Sequence, residues 1–107
     1  MQDDRGGLQI RDEDESWIHA APIQDSLVVN LGDLTARWTN DRFRSTRHRV
    51  VNASRRERCS VPFFYDGNPA EPIECLPGCL SPGEAAHYPP TTPAEHLQEK
   101  FRDTLAL

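Results

Sequence analysis

No apolar run in the 107 residues approaches the roughly 18 needed to cross a bilayer, which argues against a membrane-spanning segment. No basic, apolar, small-residue leader opens the chain, so no secretory signal is expected and the cytoplasm is the expected location. Cysteine is scarce and odd in number, at three, which argues against a disulfide framework and for a reducing compartment. A glycine-rich phosphate loop and a serine nucleophile elbow are both missing. Aromatic residues make up only 7% and the chain is acidic overall, so a nucleic-acid partner is not expected. Hydrophobic residues are 36% of the total, and a chain this short buries only about 60–65% of its unfolded surface, so little core is expected.

What is present is unevenly placed. The formal net charge is -5, yet residues 1–16 hold six acidic and two basic side chains while residues 37–58 hold eight arginines against Asp41 and Glu57. No lysine occurs between 37 and 58. Arginine recognises carboxylates and phosphates through two parallel hydrogen bonds, so this stretch is either an anion pocket or a solvated face paired with the acidic N-terminal part.

Gly6-Gly7 marks a turn, and Leu8 and Ile10 then alternate with polar neighbours as in a strand. The run from Arg11 to Glu15 reads as a hairpin loop, Trp17 and Ile18 as the next strand, and residues 27–29 as a short buried strand. Leu31, Leu34 and Trp38 share one helical face. Residues 43–51 and 58–65 read as strands, the latter at an edge because Pro62 lies inside it. Eight of the nine prolines fall between Pro62 and Pro93, which predicts an irregular arm with one short strand over 71–76. Thr92, Pro93 and Glu95 form a capping box that starts a C-terminal helix, with Leu97, Phe101 and Leu105 as its apolar stripe, expected to dock on a sheet.

Of the four histidines, His96 is expected at the surface of the C-terminal helix, and His19 and His87 are expected to have no role in chemistry. His48 lies among arginines, ten residues before Arg58, with Ser60 on the same face as Arg58. A turn near Ala53 would set positions 48 and 58 side by side; a crossing between two sheets would do the same. A histidine, an arginine and a serine in one cavity suit a metal and a dicarboxylate. Cys75 and Cys79, even with Cys59 or His87 added, match no zinc spacing.

These stretches resemble the iron(II)- and 2-oxoglutarate-dependent dioxygenases of the isopenicillin N synthase-like superfamily. The resemblance rests on Gly6-Gly7-Leu8-Gln9-Ile10, then on residues 27–33 (LVVNLGD), 37–40 (RWTN), 42–52 (RFRSTRHRVVN) and 56–64 (RERCSVPFF). It implies a mainly β fold: a partial double-stranded β-helix, or jelly roll, with a short internal helix and a C-terminal helix. Residues 1–65 would be the C-terminal half of the jelly-roll core, and residues 66–107 the proline-rich arm and helix. His48 is similar to the distal histidine of the iron triad; Arg58 and Ser60 are similar to the pair that holds the far carboxylate of 2-oxoglutarate. Arg58 and Ser60 favour 2-oxoglutarate over the relatives that work without it.

One departure matters. The family's His-x-Asp pair of iron ligands is expected upstream of Gln2-Asp3, and no histidine here has aspartate two residues on: Ala21, Val50, Pro89 and Gln98 stand there instead. The reading is therefore a truncated copy. Alone, it is expected to bind neither Fe(II) nor 2-oxoglutarate and to be inactive. A small organic molecule is the expected substrate of an intact relative, with no nucleic-acid and no membrane partner. The alternative is a non-catalytic module that pairs exposed strand edges with itself or a relative.

Overall fold

The computed structural model describes residues 1–105; Ala106 and Leu107, the end of the expected arm, lie outside the described residues. The chain falls into two compact units, one made of Met1–Asn30 and Thr46–Phe63, the other of Leu31–Ser45 and the chain from Phe64 onward.

The first unit is built on a three-stranded antiparallel sheet in the order β2-β1-β3, with β1 at Leu8–Arg11, β2 at Trp17–His19 and β3 at His48–Val50. The acidic run closes a tight hairpin in which the Asp12 amide donates to the Ser16 carbonyl, and Glu15 adopts φ 64°. Residues directly opposite in a ladder share a face. Ile10 lies opposite both Ile18 and His48, and Leu8 opposite Val50, so His48 belongs to the apolar face. The other face carries Trp17, with the guanidinium of Arg49 4.0 Å from its ring centroid and that of Arg11 at 5.7 Å. Arg49 also donates to Gln9 across the strands at 2.8 Å. Cation–π contact with Trp17 thus seats Arg49 of the arginine-rich stretch on the polar face.

Ahead of β1, Gly6 and Gly7 have φ of +70° and +94°. A Cβ on Gly7 would sit 2.6 Å from the Val51 carbonyl oxygen, so only glycine allows this approach. The bend lets one segment serve two ladders. Gly7 accepts from the Val51 amide at 2.8 Å, while residues 1–3 run antiparallel to residues 59–61, with Gln2 opposite Ser60.

The expected strand at 27–29 does not form: Leu27 and Val29 are 73% and 82% exposed, and their backbones find no ladder partner among the described residues. The strand over 43–51 is shorter, starting at His48. The strand over 58–65 reduces to the bridge at Ser60, because Pro62 has no amide to continue it.

In the second unit, α1 spans Asp33–Trp38 and α2 spans Pro93–Leu105. The capping box is formed as expected, with the Glu95 amide donating to Thr92 Oγ1 at 3.2 Å and the Thr92 amide to the Glu95 carboxylate at 3.1 Å. The faces differ from the expected ones. In α1 the buried residue is Ala36, and Trp38 is exposed. In α2, Leu97, Phe101 and Leu105 are exposed, while His96 is buried beside Asp33 at 3.6 Å. Lys100 donates to Asp33 at 2.8 Å, and Arg37 lies 3.8 Å from Glu99, so ionic contacts rather than the leucine stripe orient α2 against α1. The arm is held by a bridge between Ile73 and Thr91 and has one 3-10 turn at Pro77–Cys79 instead of the expected strand over 71–76.

A polar clamp follows α1. Asn40 donates to Glu84 at 3.0 Å and accepts from the His87 amide at 2.8 Å. Asp41 accepts from Tyr88 Oη at 2.7 Å and from His87 Nδ1 at 2.8 Å. His87 is thus bound to the α1 terminus, a partnership its sequence neighbours did not reveal. Ala36, Ile73 and Pro93 are the buried apolar residues of this unit among those described, so polar contacts carry much of its order.

Two outcomes test this account. Gly7→Ala should destabilise the sheet by about 1–3 kcal/mol, read as a lower urea midpoint and faster amide exchange at Val51. For pH, burial pushes the His96 pKa below its ordinary 6.5. Its folded-state preference for the neutral form therefore stabilises above 6.5 and fades as pH falls below that value. Hydrogen bonds from Lys100 and Ser45 lower Asp33, and those from Tyr88 and His87 lower Asp41, each below 3.8; their contribution is present above 3.8 and is lost as pH falls through their lower folded values. Exchange protection in α2 should thus drop in two steps on acidification, and His96→Gln should remove the upper one.

Candidate functional site

His48 and Arg58 are not each other's ladder partners. Residues 52–57 form a loop in which Asn52 donates to the Arg56 carbonyl at 2.8 Å and accepts from Ser54 Oγ at 2.7 Å. Its two flanks pair instead with the N-terminal segment: His48 opposite Ile10, and Ser60 opposite Gln2. The three residues singled out in the sequence therefore hang from one strand line, residues 2–10, rather than from a hairpin of their own.

The imidazole of His48 has Nδ1 3.1 Å from the Thr46 carbonyl oxygen. A carbonyl only accepts, so Nδ1 carries the hydrogen and, in the neutral ring, Nε2 keeps its lone pair. A ring held this way by the Thr46 carbonyl offers Nε2 as an electron-pair donor. His48 is exposed on the apolar face of the sheet.

Arg58 is held on three sides. Its Nε donates to the Gly6 carbonyl at 2.5 Å, Nη1 to Ser60 Oγ at 2.8 Å and Nη2 to Gln2 Oε1 at 3.0 Å. A guanidinium has five N–H groups, so one on each terminal nitrogen is left without a partner among the described residues. Such hydrogens can still donate to an anion. Ser60 accepts from Arg58 and so keeps its own hydroxyl hydrogen to donate. The Gly6 carbonyl, Ser60 and Gln2 thus cradle the guanidinium and leave three hydrogens, two on Arg58 and one on Ser60, without a partner among the described residues. Spacing alone missed Gln2, the Gly6 carbonyl and Thr46; Gly6-Gly7 was the visible signal, but it marked only a turn.

The ladder below the cradle is tied by Asp3. Its carboxylate accepts from the amides of Cys59 at 2.6 Å and Arg5 at 3.1 Å. The Cys59 amide holds the Asp3 carboxyl below its ordinary 3.8. Across the sheet, His19 Nε2 accepts from the Gly7 amide at 3.3 Å, a structural role for that histidine.

No group of three or more His, Cys, Asp or Glu side chains able to hold a metal occurs among the described residues. Cys59, Cys75 and Cys79 are free thiols, and burial pushes Cys75 above its ordinary 9.0. No helix among the described residues is long and apolar enough to cross a membrane.

Comparison with known proteins places this architecture. A 2-oxoglutarate-Fe(II) type oxidoreductase of Emericella nidulans is 43% identical over 105 residues, 97% of this chain and 30% of the relative. A Neurospora crassa protein crystallised with alpha-KG superposes with a TM-score of 0.82 at 38% identity, over 92% of this chain and 34% of its own; the same protein has been solved with thymine. A rice dioxygenase for auxin oxidation shares the fold at a TM-score of 0.84 and 21% identity. The chain thus spans about a third of the length of the proteins it matches, and its sheet is part of their double-stranded β-helix. The family model for the 2OG-Fe(II) oxygenase superfamily matches residues 1–67. This chain belongs to the 2OG-Fe(II) oxygenase superfamily.

Proposed function

We propose that residues 1–65 supply the cosubstrate side of an iron(II)- and 2-oxoglutarate-dependent oxygenase that acts on a small organic molecule, with residues 66–107 as its arm. The observation that carries this reading is the cradle of Arg58, Ser60 and Gln2, whose spare donors suit a terminal carboxylate. Arg58 and Ser60 hold the far carboxylate of 2-oxoglutarate; Gln2 and the Gly6 carbonyl keep the guanidinium from rotating away. His48 offers Nε2 as one iron ligand, and the Thr46 carbonyl holds the ring in the tautomer that allows it. When bound, iron and 2-oxoglutarate supply the oxidising chemistry, with the cosubstrate decarboxylated as the organic substrate is oxidised.

A facial iron site takes two histidines and one carboxylate. This chain offers one of the three, so the other two belong to polypeptide beyond these 107 residues, and the chain alone neither holds iron firmly nor turns over. The apolar face of the sheet and its one ligand, His48, would make it one wall of a site. The Neurospora crassa neighbour, solved with thymine, supports a small-molecule substrate class.

The test is a chimera in which these residues replace the matching third of the Emericella nidulans relative. It should form succinate only with Fe(II) and 2-oxoglutarate, while the 107-residue chain by itself forms none. His48→Ala should abolish iron binding. Arg58→Ala should raise the KM for 2-oxoglutarate by about 30-fold or more, the loss of a charge-assisted carboxylate contact of roughly 2–5 kcal/mol. An unchanged KM in that variant would refute the role given to Arg58.

A further inference from the structure

Cys75 and Cys79 flank a tight turn in the arm. The Cys79 amide donates to the Leu76 carbonyl at 2.8 Å, and the Cys75 thiol donates to the same oxygen at 3.6 Å. The ends of such a turn, Leu76 and Cys79, lie within about 7 Å of each other, and Cys75 adjoins the nearer end. Both thiols are free and partly buried. A Cβ on Gly78, at the crown of the turn, would meet no atom within 4 Å, so the turn has room to close. Burial pushes the Cys75 thiol above its ordinary 9.0, and the negative charges of Cys79 and Glu84 add to that, which marks the two sulfurs as neighbours. The third thiol, Cys59, belongs to the first unit. The turn is anchored on both sides. Before it, the Leu76 amide donates to the carbonyl of Trp38, the last residue of α1, at 2.9 Å; after it, Glu84 accepts from Asn40 at 3.0 Å.

We propose that Cys75 and Cys79 form a reversible disulfide, a redox-controlled lock on the turn that joins the arm to the end of α1. The oxidant is a low-molecular-weight disulfide such as glutathione disulfide. The Cys79 thiolate attacks one of its sulfurs, which releases one glutathione thiolate and leaves a mixed disulfide on Cys79. The Cys75 thiol then gives up its proton and attacks the Cys79 sulfur, which releases the second glutathione. The protein loses two hydrogens and two electrons, and the oxidant takes up both as two thiols. Cys79 goes first because the thiolate is the nucleophile and Cys75 holds its proton more tightly than an ordinary thiol. An excess of reduced glutathione runs the same steps backwards. The ring spans residues 75–79 and stiffens the stretch between the two anchors, holding Leu76 on the Trp38 carbonyl.

The test takes the reduced 107-residue chain, equilibrates it with glutathione buffers of rising disulfide content and then alkylates it. Cleavage after glutamate, once the chain is unfolded, isolates residues 75–84, which hold Cys75 and Cys79 but not Cys59. The expected product is that fragment two hydrogens lighter and closed to alkylation. Cys75→Ser should strand glutathione on Cys79, and Cys59→Ser should leave the ring unchanged. Oxidation should slow amide exchange at Leu76 and Cys79 about tenfold or more, and the ring should be favoured about tenfold or more over that in the chain unfolded in urea. Exchange in β1 should not change. A fragment that keeps two alkylatable thiols at the most oxidising ratio or takes up two glutathiones, a ring that forms equally in urea, or unchanged exchange at Leu76 and Cys79 would overturn the proposal.

Discussion

The backbone of residues 1–11 is the one structure on which the first unit depends. Its amides and carbonyls meet β2 on one edge, β3 and Val51 on the other, and residues 59–61 beyond the bend at Gly6-Gly7. These three partners have no ladder with one another among the described residues. Loss of the segment would therefore release His48 and the Arg58 cradle together. Side-chain burial contributes little here, since the large apolar residues of this unit remain half or more exposed or only partly covered. The register is carried by hydrogen bonds and by the glycine geometry that lets them form.

The second unit solves the same shortage of core differently. Asn40 and Asp41, both with positive φ, turn the chain out of α1 and present their side chains to Glu84, His87 and Tyr88. Asp33 does the like for α2 through Lys100 and His96. Arg37 stacks on Tyr88 at 5.1 Å and reaches the Pro89 carbonyl at 3.4 Å. The proline-rich arm, which has almost no ladder of its own, is thereby laid along a short helix by side-chain hydrogen bonds.

How much of this could be read beforehand follows from how local each signal is. Thr92, Pro93 and Glu95 announce α2 because capping involves residues three apart in sequence. Leu8 and Ile10 announce β1 for a similar reason. A strand, however, exists only if another backbone lies beside it, so residues 27–29 and 62–65 had the composition of strands but not the partners. The face of α2 was misjudged because Leu97, Phe101 and Leu105 outweighed a histidine, whereas the ion pairs to α1 turned His96 inward. His48, Arg58 and Ser60 were singled out by resemblance rather than by spacing. Gln2 and Thr46, which steady them, were not, since one acts from 56 residues away and the other through its carbonyl.

The double-glycine bend makes residues 2–10 a covalent ruler between His48 and the hydrogen-bonded side chain of Arg58. The distance between those two positions is set by a count of residues and not by the identity of any side chain along the way. Substitutions at positions such as Asp4, Arg5 or Gln9 leave that count alone. Gain or loss of one residue between Gln2 and Ile10 would slide one partner strand against the other and turn its side chains to the opposite face. The hairpin tip at 12–15 and the loop at 52–57 measure nothing of the kind, so drift in chain length is harmless there and ruinous in the nine residues that look least like a site.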